Sequence, residues 1–476
     1  MSGIQKINLD QLLDHLNDHK LYGFGIQSFF GTYLTVHYVN RFARLRAKEL
    51  FREVASYVWQ RLRTKKNQNS TILAFDPNKP LLTFISERRH IFAMNARVAE
   101  NLQGEFQGLM LYDGNTSSLH LTGPLFTKNQ IIKALSFSSG AKYGEVLKGA
   151  MKKIRSFLKK HELSVLRTPV FYIHMKRQIA LLELFDRSFK ESKPKYILTE
   201  SDCYGEIAPL IIAAKINNIP TFTQVHGMLH NKLGYYPLLA DYLFCWGNLQ
   251  KQRLIAWGIP SEKIIVTGAT QLENKLEDRA NLILPNAWDI KENRFFLLAT
   301  NPMRQEIRMD LLKQFIACIG MLPKEWIGLV RIHPSESPHD YEKITEGNYR
   351  VFICGDDILD YKGTLSLADH VVIYNSAFAI DALIHNKAVS QLNVSDSELG
   401  EMKAIIEMGA IPSFEHYSDL AVHCIRYEKD TLFKDHWTER RKNFVEQYCE
   451  DFGSSAAFNM VSFIKTKLNE PEKETV

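Results

Sequence analysis

Short apolar runs alternate with amphipathic helical stretches along most of the chain. From residue 79 onward, runs such as KPLLTFIS, PKYILTESD and PTFTQVHG end in polar residues and lead into stretches with helical spacing. A strand, a polar loop and a helix form the repeating unit of a parallel α/β sheet. The pattern therefore predicts an α/β protein built from such units.

A break in this pattern divides the α/β units into two series. Residues 275–293 are rich in Pro, Asn and charge, and we interpret them as an interdomain linker. Ligands of doubly wound sheets bind outside the carboxyl ends of the strands, so two such domains would leave a ligand cleft between them. We predict a helical basic N-terminal segment over 1–75, Rossmann-like domains over 76–285 and 286–430, and C-terminal helices over 431–476.

Two helical segments are strongly basic. The stretch 41–66 carries nine Lys or Arg and two Glu, within a helical apolar pattern that runs over 33–63, and the stretch 141–160 carries seven and one. Such segments attract phosphates, anionic lipid headgroups or acidic polymers, or they form the solvated face of a helix. The sequence leaves both readings open, and it predicts a further helix over 427–468.

Composition and cysteine spacing exclude several classes of protein. The 476 residues are 45% hydrophobic and 24% charged, which is typical of a globular chain. The six cysteines have no zinc-site spacing, so no metal site is expected, and they favour a reducing compartment. Without an apolar signal segment or a run of about 18 apolar residues, we expect a cytoplasmic location, with peripheral attachment at the inner face of an anionic membrane surface as an option. The aromatic residues do not form the stacking pattern that is typical of nucleic-acid-binding proteins, so we expect no nucleic-acid partner.

The motif Arg331-Ile332-His333-Pro334 ends a predicted strand of the second series. Proline stops the strand ladder, so His333 is expected to point off the sheet edge. Histidine and arginine can donate hydrogen bonds to phosphate oxygens, which makes His333 and Arg331, with Pro334 fixing the turn, candidates for ligand binding. A structural histidine in a His-Pro turn is the alternative.

Small and polar residues follow two other strands of the second series. Asn375 and Ser376 follow DHVVIYN and open a helix, where exposed N–H groups favour anions. Asp381, one turn further, is placed to reach a ribose hydroxyl. Thr300 and Arg304, in the loop after RFFLLATN, are further phosphate candidates. A plain helix cap at Ser376 and a solvated acid at Asp381 are the alternatives.

Candidate acid–base residues follow the strands of the first series. Glu200 and Asp202 come directly after the run KYIL, and their mutual repulsion would raise a carboxyl pKa into the range of a general base. Helix capping by Asp202 is the alternative. His226, at the end of TFTQVHG, is a second candidate base, and Thr270, in TGATQLE, lies where the chain leads into the interdomain crossing.

Taken in order, these motifs resemble glycosyltransferases of the GT-B fold. The closest parts are ADYLFCWG…GIPSEKIIVTGATQLE, and RIHP followed by ILDYKGTLSLADHVVIYNSAFAIDALIHNKAVSQLN. They are similar to bacterial surface-polysaccharide enzymes with an HP motif, including polysialyl- and Kdo-transferases, to CDP-glycerol transferases and to UDP-N-acetylglucosamine 2-epimerases. The resemblance implies two doubly wound Rossmann-like domains with a central cleft, plus a helical N-terminal extension.

The resemblance also implies a reaction. A metal-independent glycosyltransferase would move a sugar from a nucleotide-sugar donor, such as a CMP-linked one, to a hydroxyl of a glycan acceptor, with no other cofactor. His333 and Ser376 would bind the donor phosphate, and a carboxylate at Glu200 or Asp202 would deprotonate the acceptor. A UDP-sugar epimerase of the same fold and a non-catalytic scaffold at a membrane are the alternatives.

Overall fold

The computed structural model describes most of the chain from residue 72 onward. The basic N-terminal helix predicted over 33–63 lies outside the described residues, of which the first form a short antiparallel pair, β1 (Lys20–Leu21) and β2 (Phe24–Gly25). The described residues are 20–21, 24–25, 72–84, 89–110, 124–135, 144–160, 168–201, 206–229, 232, 234–272, 276, 278–285, 288–303, 305–333, 336–345, 347–355, 358–394 and 401–469.

The first sheet has seven parallel strands in the order β5-β4-β3-β6-β7-β8-β9. Its strands are β3 (Leu81–Phe84), β4 (Gln107–Met110), β5 (Leu125–Phe126), β6 (Ile197–Thr199), β7 (Thr221–Gln224), β8 (Tyr242–Cys245) and β9 (Ile264–Val266). Its helices are α1 (Arg89–Asn101), α2 (Lys128–Ala134), α3 (Gly144–Lys160), α4 (Thr168–Glu191), α5 (Ile207–Ile216) and α6 (Asn248–Ala256).

The second sheet has six parallel strands in the order β12-β11-β10-β13-β14-β15. Its strands are β10 (Arg294–Ala299), β11 (Trp326–Arg331), β12 (Val351–Cys354), β13 (His370–Ile373), β14 (Ala388–Leu392) and β15 (Ser413–Phe414). The helices that follow are α7 (Gln305–Met321), α8 (His339–Thr345), α9 (Tyr361–Leu367), α10 (Phe378–Ile384), α11 (Glu401–Glu407), α12 (Tyr417–Lys429), α13 (Thr431–Tyr448) and α14 (Gly453–Asn469). The predicted α/β class with two sheets is confirmed.

Burial on both faces explains why the strands have continuous apolar runs. All six residues of β11 are buried, as are five of the six in β10. Helix α5 is apolar on all sides and has eight buried residues, which is typical of a helix enclosed within a domain. One apolar cluster continues from Trp246 in the first domain to Phe295 in the second and Tyr448 in α13, so the two domains share part of their core.

The stretch predicted to be helical over 427–468 is divided among α12, α13 and α14, because the chain breaks twice. The second break separates α13 from α14 and is held against the first domain: Ala269 N donates to Asp451 O at 2.8 Å, and Glu450 N donates to Trp246 O at 2.8 Å. Gly268 has φ +93°, and a Cβ at this position would collide with the Asp451 backbone. Helix α14 then packs on α1, so the C-terminal end of the chain returns to the first domain.

The strand order reverses once in each sheet. The chain builds β3, β4 and β5 outward on one side of the first sheet and β6 to β9 on the other, and it repeats this plan with β10–β12 and β13–β15. Ligands of open parallel sheets bind outside the carboxyl ends of the strands at such reversals. We name the β3/β6 reversal the first switch point and the β10/β13 reversal the second switch point.

Among the residues that the structure describes, no helix is long and apolar enough to cross a membrane.

Candidate functional site

Thr300 organises the second switch point. Its Oγ1 donates to Glu336 Oε2 at 2.7 Å and accepts from the backbone N–H of His333 at 2.9 Å, while its own N–H donates to Arg331 O at 3.0 Å. These bonds tie the loop after β10 to the loop after β11. Thr300 is buried, so its hydrogen bonds fix the position of the His333 backbone at the end of β11.

His333 lies at the predicted sheet edge and is half-buried. Its backbone is held on both sides, because Glu336 N also donates to His333 O at 2.8 Å. A fixed backbone limits where the imidazole can go, which is what a preorganised phosphate donor requires. The predicted partners Arg304 and Pro334 lie outside the described residues.

Two buried amide oxygens at the second switch point form no hydrogen bond with any residue that the structure describes. They are Asn301 Oδ1, after β10, and Asn375 Oδ1, after β13. Buried polar atoms are nearly always paired. Because β10 and β13 are neighbours in the sheet, these two acceptors follow adjacent strands and indicate a place for a ligand with O–H or N–H donors. Ser376 is buried between these strands, and its Oγ donates to Thr300 O at 3.5 Å and accepts from Phe378 N at 3.4 Å.

Arg331 and Asp381 are engaged within the protein. Arg331 Nη1 donates to Leu359 O at 2.6 Å and to Thr364 Oγ1 at 3.3 Å, which anchors the start of α9. The Tyr361 hydroxyl donates to Asp381 Oδ2. Desolvation raises the pKa of the Asp381 carboxyl to about 6, and the hydrogen bond from Tyr361 opposes that rise. These contacts give Arg331 and Asp381 structural partners.

A buried polar network lies at the first switch point. The Thr83 hydroxyl donates to Glu200 Oε2, and Asn95 Nδ2 donates to Thr83 O at 2.7 Å. Gln224 Nε2 donates to Asn95 Oδ1 at 2.7 Å, and Thr270 Oγ1 donates to Gln224 Oε1 at 2.9 Å. The network therefore joins the carboxyl ends of β3, β6 and β7 to the segment after β9.

Exposure separates the candidate bases of the first domain. The Glu200 side chain is 0% exposed, whereas His226 is only half-buried at the end of β7. The Tyr235 hydroxyl lies 2.8 Å from His226 Nδ1, and the two rings stack with centroids 5.6 Å apart, so the imidazole is oriented. Asp202 lies outside the described residues. Of the candidates with a described side chain, His226 is the one that a substrate can reach.

The network predicts a stability difference between two asparagines of α1. Asn95→Leu leaves the Gln224 amide and the Thr83 carbonyl without these partners, and an unsatisfied buried group costs about 1–3 kcal/mol. The variant is expected to lower the free energy of unfolding by at least about 2 kcal/mol, as two such groups are left. Urea unfolding measures this difference.

Asn101→Leu is the matched control, because Asn101 lies on the same helix, is half-buried and bonds Arg97 O at 3.1 Å. Its unfolding midpoint is expected to stay close to wild type. Equal midpoints for the two variants would show that the network adds nothing to stability.

Thr83, Asn95 and Asn301 are site residues that the sequence did not single out. Thr83 sits inside the apolar run LLTF and Asn95 inside the helix HIFAMNARV, each a polar residue on an otherwise buried element. A polar residue in such a position needs a partner, and that is the signal that could have marked Thr83 and Asn95. Asn301 comes after β10 and Thr300, in a loop where no such contrast is present.

Comparison with solved structures shows the same two-domain architecture. A putative UDP-N-acetylglucosamine 2-epimerase from Listeria monocytogenes is 15% identical, with a TM-score of 0.53 over 84% of this chain and 98% of that chain. The S. aureus MnaA–UDP co-structure is 16% identical, with a TM-score of 0.52 over 82% and 97%. The glycotransferase of kitacinnamycin is 10% identical, with a TM-score of 0.51 over 83% and 100%.

No protein-family model and no curated protein matches the sequence. The likeness to these structures, together with the two parallel sheets, shows that the chain has the GT-B fold.

Proposed function

We propose that this protein is a glycosyltransferase that takes a sugar from a nucleotide-activated donor and transfers it to a hydroxyl of a glycan acceptor. The observation that carries the proposal is the second switch point, where the buried amide oxygens of Asn301 and Asn375 have no partner among the described residues and follow the same strands as His333 and Ser376 or their neighbours. Amide oxygens accept from sugar hydroxyls or base N–H groups, and His333 and Ser376 can donate to phosphate.

The two domains would divide the reaction between them. On the second domain, His333 stabilises the negative charge that develops on the leaving phosphate as the bond to the anomeric carbon breaks. On the first domain, a base at the carboxyl ends of β6 and β7 takes the proton of the acceptor hydroxyl as that oxygen attacks. His226 is the exposed candidate for this base, and Glu200 anchors the network beneath it.

The names of the structural neighbours support a nucleotide-sugar ligand. The S. aureus structure contains UDP, and the Listeria monocytogenes protein is described as acting on a UDP-sugar. The HP motif instead resembles enzymes that use CMP-linked sugars. We therefore propose that the donor is a nucleotide-sugar, and a separate experiment identifies its nucleobase.

A nucleotide panel tests the donor site. CMP, CDP, UDP, GDP and ADP are each added while the melting temperature is followed, and one pyrimidine nucleotide is expected to raise it. A ligand at 100 times its Kd stabilises the fold by about 2.7 kcal/mol, which corresponds to a shift of roughly 1–3 °C for a chain of this size.

Two asparagines make the panel specific to the second switch point. Asn375→Ala is expected to abolish the shift, because it removes the oxygen beside β13. Asn393→Ala is the control: its Oδ1 is also buried without a partner in the described part of the chain, but Asn393 follows β14, one strand away from the switch point. A shift that survives in Asn375→Ala, or is absent with every nucleotide in the wild type, contradicts the proposed donor site.

An epimerase is the second candidate. One solved structure with this fold is named a UDP-N-acetylglucosamine 2-epimerase, and another contains UDP. An epimerase needs no acceptor. Incubation with UDP-N-acetylglucosamine alone would then yield an isomeric nucleotide-sugar by NMR, whereas a transferase releases its nucleotide in proportion to acceptor.

A further inference from the structure

A basic groove lies between α3 and α4 on the first domain. It has a volume of about 720 Å³ and is lined by Lys148, Met151, Lys152, Arg155, Ser156, Lys159 and Tyr172. The buried Met151 forms part of its floor, and Tyr172, 42% exposed, stands at its edge with Lys176 Nζ 5.7 Å from the ring centroid. The groove thus combines cations with an apolar floor and an exposed aromatic ring.

The four cations of the groove form a single row. Lys148, Lys152, Arg155 and Lys159 are spaced by four, three and four residues along α3, so they share one face of the helix. At 1.5 Å per residue the row is about 16 Å long, with a charge roughly every 5 Å. That interval is close to the length of one sugar residue in an extended polysaccharide.

Most of this charge is not neutralised inside the protein. Lys148 pairs with Glu145 at 2.7 Å, and both side chains are exposed. Lys152, Arg155 and Lys159 are exposed and form no ion pair with any acidic residue that the structure describes. A row of exposed like charges repels itself, so an anionic ligand that lies along it relieves that repulsion.

An ion pair ties α4 to the chain that follows β6 in the first sheet. Arg177 Nη2 donates to Glu206 Oε1 at 2.7 Å, and Glu206 directly precedes α5 in the segment that follows β6. Tyr172 is five residues before Arg177 on α4, about 7.5 Å away along the helix axis. It lies near the N-terminal end of the helix. The part of α4 that carries Tyr172 therefore lies on the side of the first sheet where Glu200 and His226 follow their strands.

We propose that this basic groove binds a stretch of acidic polysaccharide with three or four consecutive negatively charged sugars. A sugar face can stack on Tyr172 while carboxylates or phosphates pair with the row of cations. A membrane surface fits less well, because the apolar side chains Leu147, Met151 and Ile154 of α3 are buried in the domain core and cannot insert into lipid. The binding of an acidic polysaccharide does not depend on the proposed function. Its role as the acceptor of the transferred sugar does.

Oligogalacturonic acid, with one carboxylate per sugar, is a suitable probe. Binding of fluorescently labelled chains of two, four and eight sugars to the full-length protein is measured by anisotropy at several salt concentrations. We expect binding to strengthen sharply between two and four sugars and to weaken as salt rises. The variant Lys152→Ser/Arg155→Ser/Lys159→Ser is expected to lose at least about tenfold in affinity, from three exposed charge contacts of modest strength each.

Lys313→Ser/Lys324→Ser/Lys442→Ser is the matched control, because it removes three exposed positive charges outside the groove. Equal losses in the two triple variants would overturn the proposal, since they would show only a response to net charge. Binding that is independent of chain length would overturn it too. So would binding to vesicles of phosphatidylglycerol and phosphatidylcholine, lost in the groove variant, without binding of the oligosaccharides.

The nucleotide-induced melting shift, measured on the same groove variant, separates the two proposals. It is expected to equal that of the wild type, because the groove lies on the first domain. Length-dependent oligosaccharide binding in a protein that no nucleotide stabilises would uphold the groove and contradict the proposed transferase.

Discussion

Replacing His333 with alanine is expected to lower turnover of the sugar donor at least about a hundredfold, because removing one preorganised donor to a developing negative charge costs a factor of about 10²–10³. The loop around it is held by backbone contacts that the substitution leaves in place: Thr300 Oγ1 accepts from His333 N, and Glu336 N donates to His333 O. The variant is therefore expected to fold as the wild type does.

Turnover is measured at saturating donor and acceptor, together with the melting temperature of each variant. His339→Ala is the control, because His339 lies six residues further on, its side chain is 73% exposed, and its Nδ1 lies 3.4 Å from the exposed carboxylate of Glu342. Near-normal turnover in a folded His333→Ala protein would remove His333 from the donor site.

A phosphate contact also predicts a difference between ligands. The variant should lose most of the melting shift caused by the preferred nucleotide, while a nucleoside, which has no phosphate, should behave alike in variant and wild type. If the variant loses the response to both ligands in equal measure, the histidine shapes the pocket and does not bind phosphate.

The strands could be predicted from sequence because most are enclosed on both faces. Runs such as RFFLLATN and WIGLVRIHP are continuous apolar stretches, and β10 and β11 lie in the middle of the second sheet. The edge strands β5 and β15 have only two residues each, and neither was identified. A strand of two residues has too few side chains to show a period, which is why the pattern could not reveal it.

The break between α13 and α14 shows what a local pattern misses. Residues on either side have helical spacing, so the local pattern does not show where between Cys449 and Phe452 one helix ends and the next begins. The interruption depends on contacts with a part of the chain about 180 residues earlier, where Gly268 permits the Asp451 backbone to come close and Phe452 pairs with Ala269. Tertiary contacts of this kind override local helical preference.

The candidate site could be predicted only in part, because the sequence shows which polar residues follow strands but not which strands are neighbours. Polar residues at strand ends can be found in a sequence, and Thr300, His333, Ser376 and Glu200 were found in that way. The order of the strands within a sheet cannot be read from the same pattern, yet it decides which strand ends are neighbours. The switch points, and with them Thr83 beside Glu200, became visible only with the sheet order.

Burial is the other property that the sequence could not supply. Glu200 and His226 both follow strands and both suit acid–base chemistry, and the sequence favoured the carboxylate. The structure places Glu200 at 0% exposure and leaves the imidazole accessible. A general base must come within hydrogen-bond reach of the proton that it removes, so the two residues make different predictions.

His226→Asn is expected to lower turnover about 10²–10⁴-fold, the usual contribution of a positioned general base, with little change in the nucleotide-induced melting shift. Asparagine keeps polarity and much of the shape but cannot take a proton at neutral pH. The rate of the wild type should fall toward acid pH as the imidazole becomes protonated, and this acid limb should be missing from the residual activity of the variant. A pH–rate profile of both proteins distinguishes loss of the base from a structural defect.

Two neighbouring tyrosines complete the test of this base. Tyr235→Phe removes the hydroxyl that lies 2.8 Å from His226 Nδ1 and is expected to give a smaller loss in kcat, with the acid limb moved but still present. Tyr236→Phe, at the next and more exposed residue, should leave kcat and the profile unchanged. If His226→Asn keeps the acid limb while Glu200→Gln loses it, the proton goes to the buried carboxylate, and the first switch point must open during the reaction to let the acceptor reach it.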